Sequence, residues 1–291
     1  MVLVCFIWGL QQIVLKVVAA DIAPIMQIAL RSAGAAALVA ALMWRRGERF
    51  DWSAWRPGLV VAILFALEFV GVGQALLHTS ASHTVVFLYT APIFAALGLH
   101  WKLPAERLNT VQWCGIALAF AGVVTAFMGH DPQPASGPAS TSLYGDFLAL
   151  LGAVAWGATT VVIRTTRLSR ATPTQTLLYQ LLGAAVFLLP VAAWTGRFAV
   201  HITPAVVASL LFHTVVVSFV SFLAWFWLLR NYLASRLGVF SFLTPLFGVL
   251  LGVLLLDEPM ALRFALGALL VLAGIVVVST HALLLGLLTR K

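Results

Sequence analysis

The sequence predicts an all-α integral membrane protein: ten transmembrane helices in two inverted-topology five-helix repeats, with both termini in the cytoplasm. Three observations carry this. Hydrophobic residues make up 62% of the chain and charged residues 9%, whereas a soluble domain averages about 25% charged residues, so water cannot be the solvent for most of the surface. Ten apolar runs approach the roughly 20 residues that cross a hydrocarbon core about 30 Å thick. The pattern of the first half then returns in the second at an offset of 148 to 153 residues.

The first run, 2–20, carries Trp8, Gln12 and Lys16 four residues apart. Residues i and i+4 stack on one face of a helix, so the three form a polar stripe: a seam between helices, or the wall of a cavity. Its twin, 145–164, repeats Phe6-Ile7-Trp8-Gly9 as Val154-Ala155-Trp156-Gly157 and the stripe as Trp156, Thr160 and Arg164. Run 24–44 opens at Pro24 and holds Arg31; run 174–194 follows Pro173 and has Gln180 in place of Arg31, beside Tyr179. Run 58–78 contains Glu68 and ends on His78, and run 205–229 contains His213 and Trp225. Run 83–101 follows Ala81-Ser82 and contains Tyr89 and Pro92, while run 237–256 follows Ala234-Ser235 and contains Phe242 and Pro245. Runs 108–128 and 264–288 close the two halves, with Gly115 and Gly122 in one matching Gly267 and Gly274 in the other.

The joints are short, and the longest polar, Pro/Ser-rich stretch falls at His130–Ser142. It divides the chain into a first five-helix repeat (1–128), a periplasmic linker (129–144) and a second five-helix repeat (145–291). The second repeat has a Tyr144-Gly145-Asp146 lead-in whose first-half equivalent would precede Met1, which predicts a natural start further upstream. With the N-terminus inside, 13 of the 17 Lys and Arg residues lie on the cytoplasmic side, as the positive-inside rule requires. The basic excess therefore orients a membrane protein and does not signal nucleic acid. Arg outnumbers Lys 14 to 3 in an Ala/Leu-rich chain, the usage of a GC-rich bacterial genome, so the expected location is the bacterial inner membrane. Cys5 and Cys114 both lie inside apolar runs and give neither a disulfide framework nor a metal spacing. No cofactor and no metal is expected.

Trp8-Gly9, Lys16, Pro24 and Arg31, followed by Ala81-Ser82, Pro92, Glu106-Arg107-Leu108, Gly115 and Gly122 and then by a weaker second copy, resemble the EamA-type branch of the drug/metabolite transporter superfamily. The resemblance covers essentially the whole chain. It implies two inverted repeats of five helices and an inner-membrane carrier of small metabolites, a group that includes amino acids, drugs, sugars and vitamins. The second half departs from the pattern at Gln180.

A charge inside hydrocarbon costs about 3 kcal/mol on insertion scales, so an intramembrane ionisable group is a functional candidate by default. Glu68 is either a proton carrier, since burial penalises the charged form of a carboxylate, or half of a fixed ion pair with Arg31 or Lys16. Arg31 either grips a substrate carboxylate with its guanidinium fork or tethers helices through backbone carbonyls or Glu68. Lys16 is near enough to a helix end to snorkel to the surface. Pro92 and Pro245 interrupt two helices at equivalent places; the freed carbonyls call for protein or water, which fits a site or a packing kink. Ser82 and Tyr89 sit seven apart on one face, and His78 shares a face with Glu68. Trp8 and Trp156 are candidates for stacking on a substrate, whereas Trp44, Trp101, Trp113 and Trp194 fall at helix ends and read as an aromatic belt.

The expected function is a secondary transporter that moves a small metabolite, an amino acid or related compound, outward by alternating access, with Glu68 as the candidate for proton coupling. The alternative is an uncoupled facilitator or a lipid or amphiphile flippase of the same fold. The acidic residues are scattered through separate joints and no nucleophile–base pair is present, so an enzyme is not expected. The expected partners are the lipid bilayer and a small-molecule substrate, in a monomer or homodimer.

Overall fold

The computed structural model describes residues 1–104, 107–128, 139–231, 241, 243–258 and 260–288. Its regular structure is helical: α1 (Val2–Val17), α2 (Pro24–Arg45), α3 (Trp55–His78), α4 (Ala81–Leu88), α5 (Ala91–Lys102), α6 (Thr110–Met128), α7 (Ala139–Thr165), α8 (Pro173–Trp194) and α9 (Pro204–Leu211). A π-helical run (Phe212–Ser221) continues α9 into α10 (Phe222–Asn231), and α11 (Leu243–Leu256) and α12 (Leu262–Leu288) follow. Short 3-10 turns precede α3 and α8. Among the described residues, six helical segments are long and apolar enough to cross a bilayer, and four shorter helices are also apolar. Their outer faces are greasy: Leu59, Ile63 and Leu67 of α3 and Leu246, Leu250 and Leu254 of α11 form exposed stripes at helical spacing. A patch of that extent suits hydrocarbon, not water.

Local chemistry sets the helix ends, and it sets them twice. α2 and α8 both begin with proline in the first turn, where its missing N–H costs nothing. Both end on a left-handed glycine, Gly47 (φ 63°) and Gly196 (φ 68°). Each glycine closes the same pair of hydrogen bonds: Gly47 N to Trp44 O (3.1 Å) with Glu48 N to Met43 O (3.0 Å), and Gly196 N to Ala193 O (3.2 Å) with Arg197 N to Ala192 O (2.8 Å). That is the Schellman stop, which needs a residue free of the Cβ penalty.

The packing between the halves is also made twice, with their roles exchanged. Gly9 of α1 lies against α11, where a Cβ would come within 2.9 Å of Gly248 N and 3.1 Å of Thr244 O. Gly157 of α7 lies against α5, where a Cβ would come within 2.9 Å of Ala95 N and 3.0 Å of Ala91 O. Thr244 and Gly248 are the second-half counterparts of Ala91 and Ala95, so each half supplies the glycine once and the receiving helix once. Gly122 of α6 meets Val271 N and Gly267 O, and Gly274 of α12 meets Ala119 N and Gly115 O. Gly34 packs on Thr214, and Gly183 packs on Ala62.

Two elements depart from plain helix. The apolar run expected around 83–101 is broken in its middle: α4 stops at Leu88, Tyr89 and Thr90 turn, and α5 restarts with Pro92 in its first turn. Pro92 has no N–H to offer Leu88 O, four residues back, and within the turn Thr90 Oγ1 donates to Phe87 O at 2.6 Å. The matching interruption expected at Pro245 falls next to residues 232–240 and 242, which lie outside the described residues along with Ala234, Ser235 and Phe242. Pro245 itself sits buried in the first turn of α11. The second departure is the π-helical run, whose first-half counterpart in α3 is ordinary α-helix.

Gly9→Ala and Gly157→Ala should each destabilise the protein by about 1–3 kcal/mol, the usual cost of forcing atoms into a filled contact. Thermal unfolding in detergent checks this, with lipid-facing Leu67→Ala as the control that leaves the midpoint near wild type.

Candidate functional site

Among the described residues three charged side chains are buried, namely Arg31, Glu68 and Asp146. Each is held differently. Asp146, at the start of the crossing part of α7, accepts from Thr79 Oγ1 at 2.6 Å and faces His83 Nδ1 at 2.8 Å. Arg31, in α2, donates from Nη1 to Gln11 Oε1 at 3.1 Å, and its Cζ stands 4.8 Å from the centroid of the Phe69 ring. Its Nε has no partner. Glu68, in α3, makes no ion pair within 4.0 Å, and its Oε2 is buried with no hydrogen bond. Among the described residues the hydrogen-bond partner of Arg31 is the Gln11 side chain, and the Arg31 and Glu68 charges act on each other from beyond 4.0 Å.

The groups around them come from five crossing segments. α1 supplies buried Trp8, Gln11 and Gln12. Trp8 Nε1 donates to Ser221 Oγ at 2.9 Å, and its ring packs edge-on to Trp225, centroids 5.4 Å apart. Gln12 is 1% exposed, and its Oε1 has no partner. The α4–α5 break brings buried Tyr89 edge-on to Trp156 of α7 at 5.2 Å. α7 can lie this close because of Gly152, where a Cβ would come within 3.1 Å of Glu68 O. In the π-helical run, fully buried His213 has Nε2 3.1 Å from Gln11 O and Nδ1 3.2 Å from Gln27 Nε2. Nδ1 also stands 2.8 Å from Ser209 O, one turn back, so each ring nitrogen faces a carbonyl oxygen and a neutral imidazole donates to one of the two. Gln27 also donates to Ser209 Oγ. π-turns recur where a helix must present side chains off the regular register, and here the run turns His213, Ser218 and Ser221 inward together.

The other residues singled out from the sequence lie apart from this seam or on its edge. Thr160 Oγ1 donates to Trp156 O at 3.3 Å, one turn back in its own helix. Gln180 is buried at 9% exposure. Tyr179 packs against Phe50 with its hydroxyl unpartnered. His78, half-buried at the end of α3, packs edge-on to Tyr144 at 5.3 Å. Ser82 belongs to a second polar cluster at the helix ends. There Glu258, from the joint between α11 and α12, accepts from Ala81 N (2.7 Å), Ser82 N (3.0 Å) and Ser82 Oγ (2.6 Å). Lys16 Nζ donates to Thr79 O and stands 4.0 Å from Glu258 Oε1, with the side chain 31% exposed. His83 stacks flat on Phe264 at 3.8 Å. This cluster ties α1, the α3–α4 joint, α7 and the α11–α12 joint at one end of the bundle.

Gln11, Gln27 and Ser221 carry no charge or motif that marks them in the sequence, and His213, Asp146 and Glu258 stand where a histidine or carboxylate is commonplace, inside a helix or near a joint. A signal existed for Glu258, which aligns with Glu106 in the duplication just as Ala81-Ser82 aligns with Ala234-Ser235. Glu106 lies outside the described residues.

The EamA-like transporter family model matches residues 1–128 and 143–280. The chain belongs to the EamA-like transporter family. It is thus a multi-pass membrane transporter. An uncharacterized transporter of Archaeoglobus fulgidus is 29% identical over 246 residues, covering 82% of this chain and 81% of its own. The uncharacterized transporter YoaV of Bacillus subtilis is 25% identical, covering 94% and 92%, and YvbV of the same organism is 30% identical, covering 78% and 73%. A solved crystal structure superposes with a TM-score of 0.65 over 97% of both chains at 21% identity, a likeness of fold. The EamA chain carries its unpartnered polar atoms on helices from both of its matched segments.

Glu258→Ala should lower the unfolding free energy by about 1–3 kcal/mol, the cost of leaving buried donors unsatisfied. Ser82→Ala, which spares both backbone donors to Glu258, should cost clearly less in the same thermal unfolding measurement.

Proposed function

We propose that this EamA-family protein is a secondary transporter of ten transmembrane helices in two inverted repeats, 1–128 and 145–291, with both termini cytoplasmic. It moves a small metabolite, an amino acid or related compound, out across the bacterial inner membrane by alternating access. The reciprocal glycine contacts support a two-fold relation between the halves, because a two-fold makes residue i meet j whenever j meets i. An odd number of helices per half puts the copies in opposite senses, the arrangement in which carriers hold substrate at the midplane of the repeat interface.

One observation carries the transport site: Glu68 and Arg31 are buried in the same seam without pairing each other, and each keeps a polar atom unpartnered. A buried polar atom left without a partner is costly, and natural proteins retain it mostly where a ligand, ion or proton completes it. On this reading Glu68 carries the proton that drives exchange. The Arg31 guanidinium receives the carboxylate of the substrate, with Gln11 fixing its orientation. Gln12, Tyr89 and Trp156 complete the walls, and the Tyr89-Thr90 break supplies backbone groups that a continuous helix would have bonded internally.

In proteoliposomes loaded with mixed amino acids, a pH gradient should drive efflux by wild type, read by mass spectrometry. Glu68→Gln should lose at least about tenfold of the gradient-driven rate, the scale of a coupling energy near 1.4 kcal/mol, while keeping exchange without a gradient. Unchanged gradient-driven efflux would leave an uncoupled facilitator or flippase. Arg31→Ala should abolish movement of carboxylate substrates and spare neutral ones; equal loss of both would make the Arg31–Gln11 bond purely structural.

A further inference from the structure

A second polar feature lies away from the seam, where α3 and α5 meet the end of α7. A cavity of about 910 Å³ opens there, and it is lined by four arginines, Arg56, Arg164, Arg167 and Arg170, and by Trp52 and Trp55. The 3-10 turn Arg167–Arg170 carries two of the arginines around the rim, and buried Leu168 anchors that turn. The two indoles are 74% and 50% exposed, and the Arg56 guanidinium stands 5.4 Å from the centroid of the Trp55 ring.

Such a gathering of like charge needs a counter-charge. Arg56, Arg167 and Arg170 make no ion pair within 4.0 Å among the described residues. The carboxylate that acts on Arg167 is Asp51, which accepts from Ser53 N at 2.8 Å. Three hydroxyls in the lining aim their protons elsewhere. Thr165 and Thr166 donate to Val161 O and Val162 O at 2.7 Å, and Ser169 donates to Thr166 O at 2.8 Å. The donors left for a ligand are the guanidiniums of Arg56, Arg167 and Arg170, whose planar forks suit an anion with several acceptor oxygens, above all a phosphate group. The volume falls in the range of pockets for drug-sized molecules, about 300–1,000 Å³, more than an inorganic phosphate fills. Paired tryptophans at helix ends mark the level of lipid headgroups.

We propose that this cavity is a binding site for the phosphate headgroup of an anionic phospholipid, with the glycerol region against Trp52 and Trp55 and the acyl chains in the bilayer. Basic pockets between transmembrane helices recognise headgroups through this chemistry. The lipid neutralises the arginine cluster and braces the joint between α3, α5 and α7. The site does not depend on the transported substrate.

The test is native mass spectrometry of the delipidated full chain, titrated with phosphatidylglycerol or phosphatidylcholine of identical acyl chains. Wild type should retain phosphatidylglycerol at least about tenfold better, and the triple variant Arg56→Gln, Arg167→Gln, Arg170→Gln should lose about a hundredfold, the scale of three arginines facing an anionic headgroup. Two controls guard against misfolding and bulk charge. The triple Arg→Lys variant should keep most of the preference, and Arg45→Gln, Arg46→Gln, Arg49→Gln, on the same side of the bundle but outside the cavity, should behave as wild type. Equal loss in both glutamine triples, or equal retention of the two lipids by wild type, would overturn the proposal. So would full displacement of phosphatidylglycerol by millimolar inorganic phosphate, which would mark a site for free phosphate. Reduced transport in the cavity triple with unchanged lipid retention would mark a substrate vestibule and overturn it as well.

Discussion

The contact that everything else depends on is the approach of a glycine to another helix's backbone, made once by Gly9 against α11 and again by Gly157 against α5. With a side chain at either place the helices would stand further apart, and Trp8 and Trp156 could not reach the opposing half. Helix association in lipid has no hydrophobic driving force, so van der Waals contact at small residues does much of the work. Gly122 with Gly267 and Gly274 with Gly115 make the same kind of contact between α6 and α12. The two halves are therefore interleaved, each lying along the other's helices. An interface of that kind can carry one half's movement into the other.

The interleaving leaves a polar seam that is only partly satisfied. At one end Glu258, Lys16, Thr79, Asp146 and His83 meet nearly all of one another's hydrogen-bonding needs. Deeper in, Glu68 Oε2, Arg31 Nε, Gln12 Oε1 and Ser218 Oγ go without. The contrast is physical. A satisfied network holds one arrangement, and a partly satisfied one is high in energy until something enters it. The transport site proposed above lies in the deeper, unsatisfied set.

Much of this was legible in the sequence. Single charges in otherwise apolar runs located Glu68 and Arg31, because depth in a membrane helix follows from counting residues. Pro92 located the break, because a proline removes a specific hydrogen bond wherever it sits. What could not be read was direction around the helix axis relative to neighbours. That hid the Arg31–Gln11 bond and the contacts of Lys16 with Thr79 and Glu258. Asp146 and Glu258 were lost among joint residues because a carboxylate at a helix end is usually solvated, and here each caps or braces another helix instead. The π-helical run left no mark in composition, and so the placement of His213 and Ser221 was invisible. The glycines at 47 and 196 are a clear case of the converse: their spacing was present in the sequence, but the matched Schellman stops appear only in the backbone.

The central claim is that the seam around Gln12 opens to each side of the membrane in turn. The most direct measurement is labelling of Gln12→Cys, in a chain whose Cys5 and Cys114 have been replaced by alanine, with a membrane-impermeant thiol reagent added to right-side-out or to inside-out vesicles. Labelling from both sides is the predicted result, since Gln12 is only 1% exposed in the state described here and must be reached through openings on either face. Labelling from neither side would contradict the account, because a seam that never opens cannot pass a substrate.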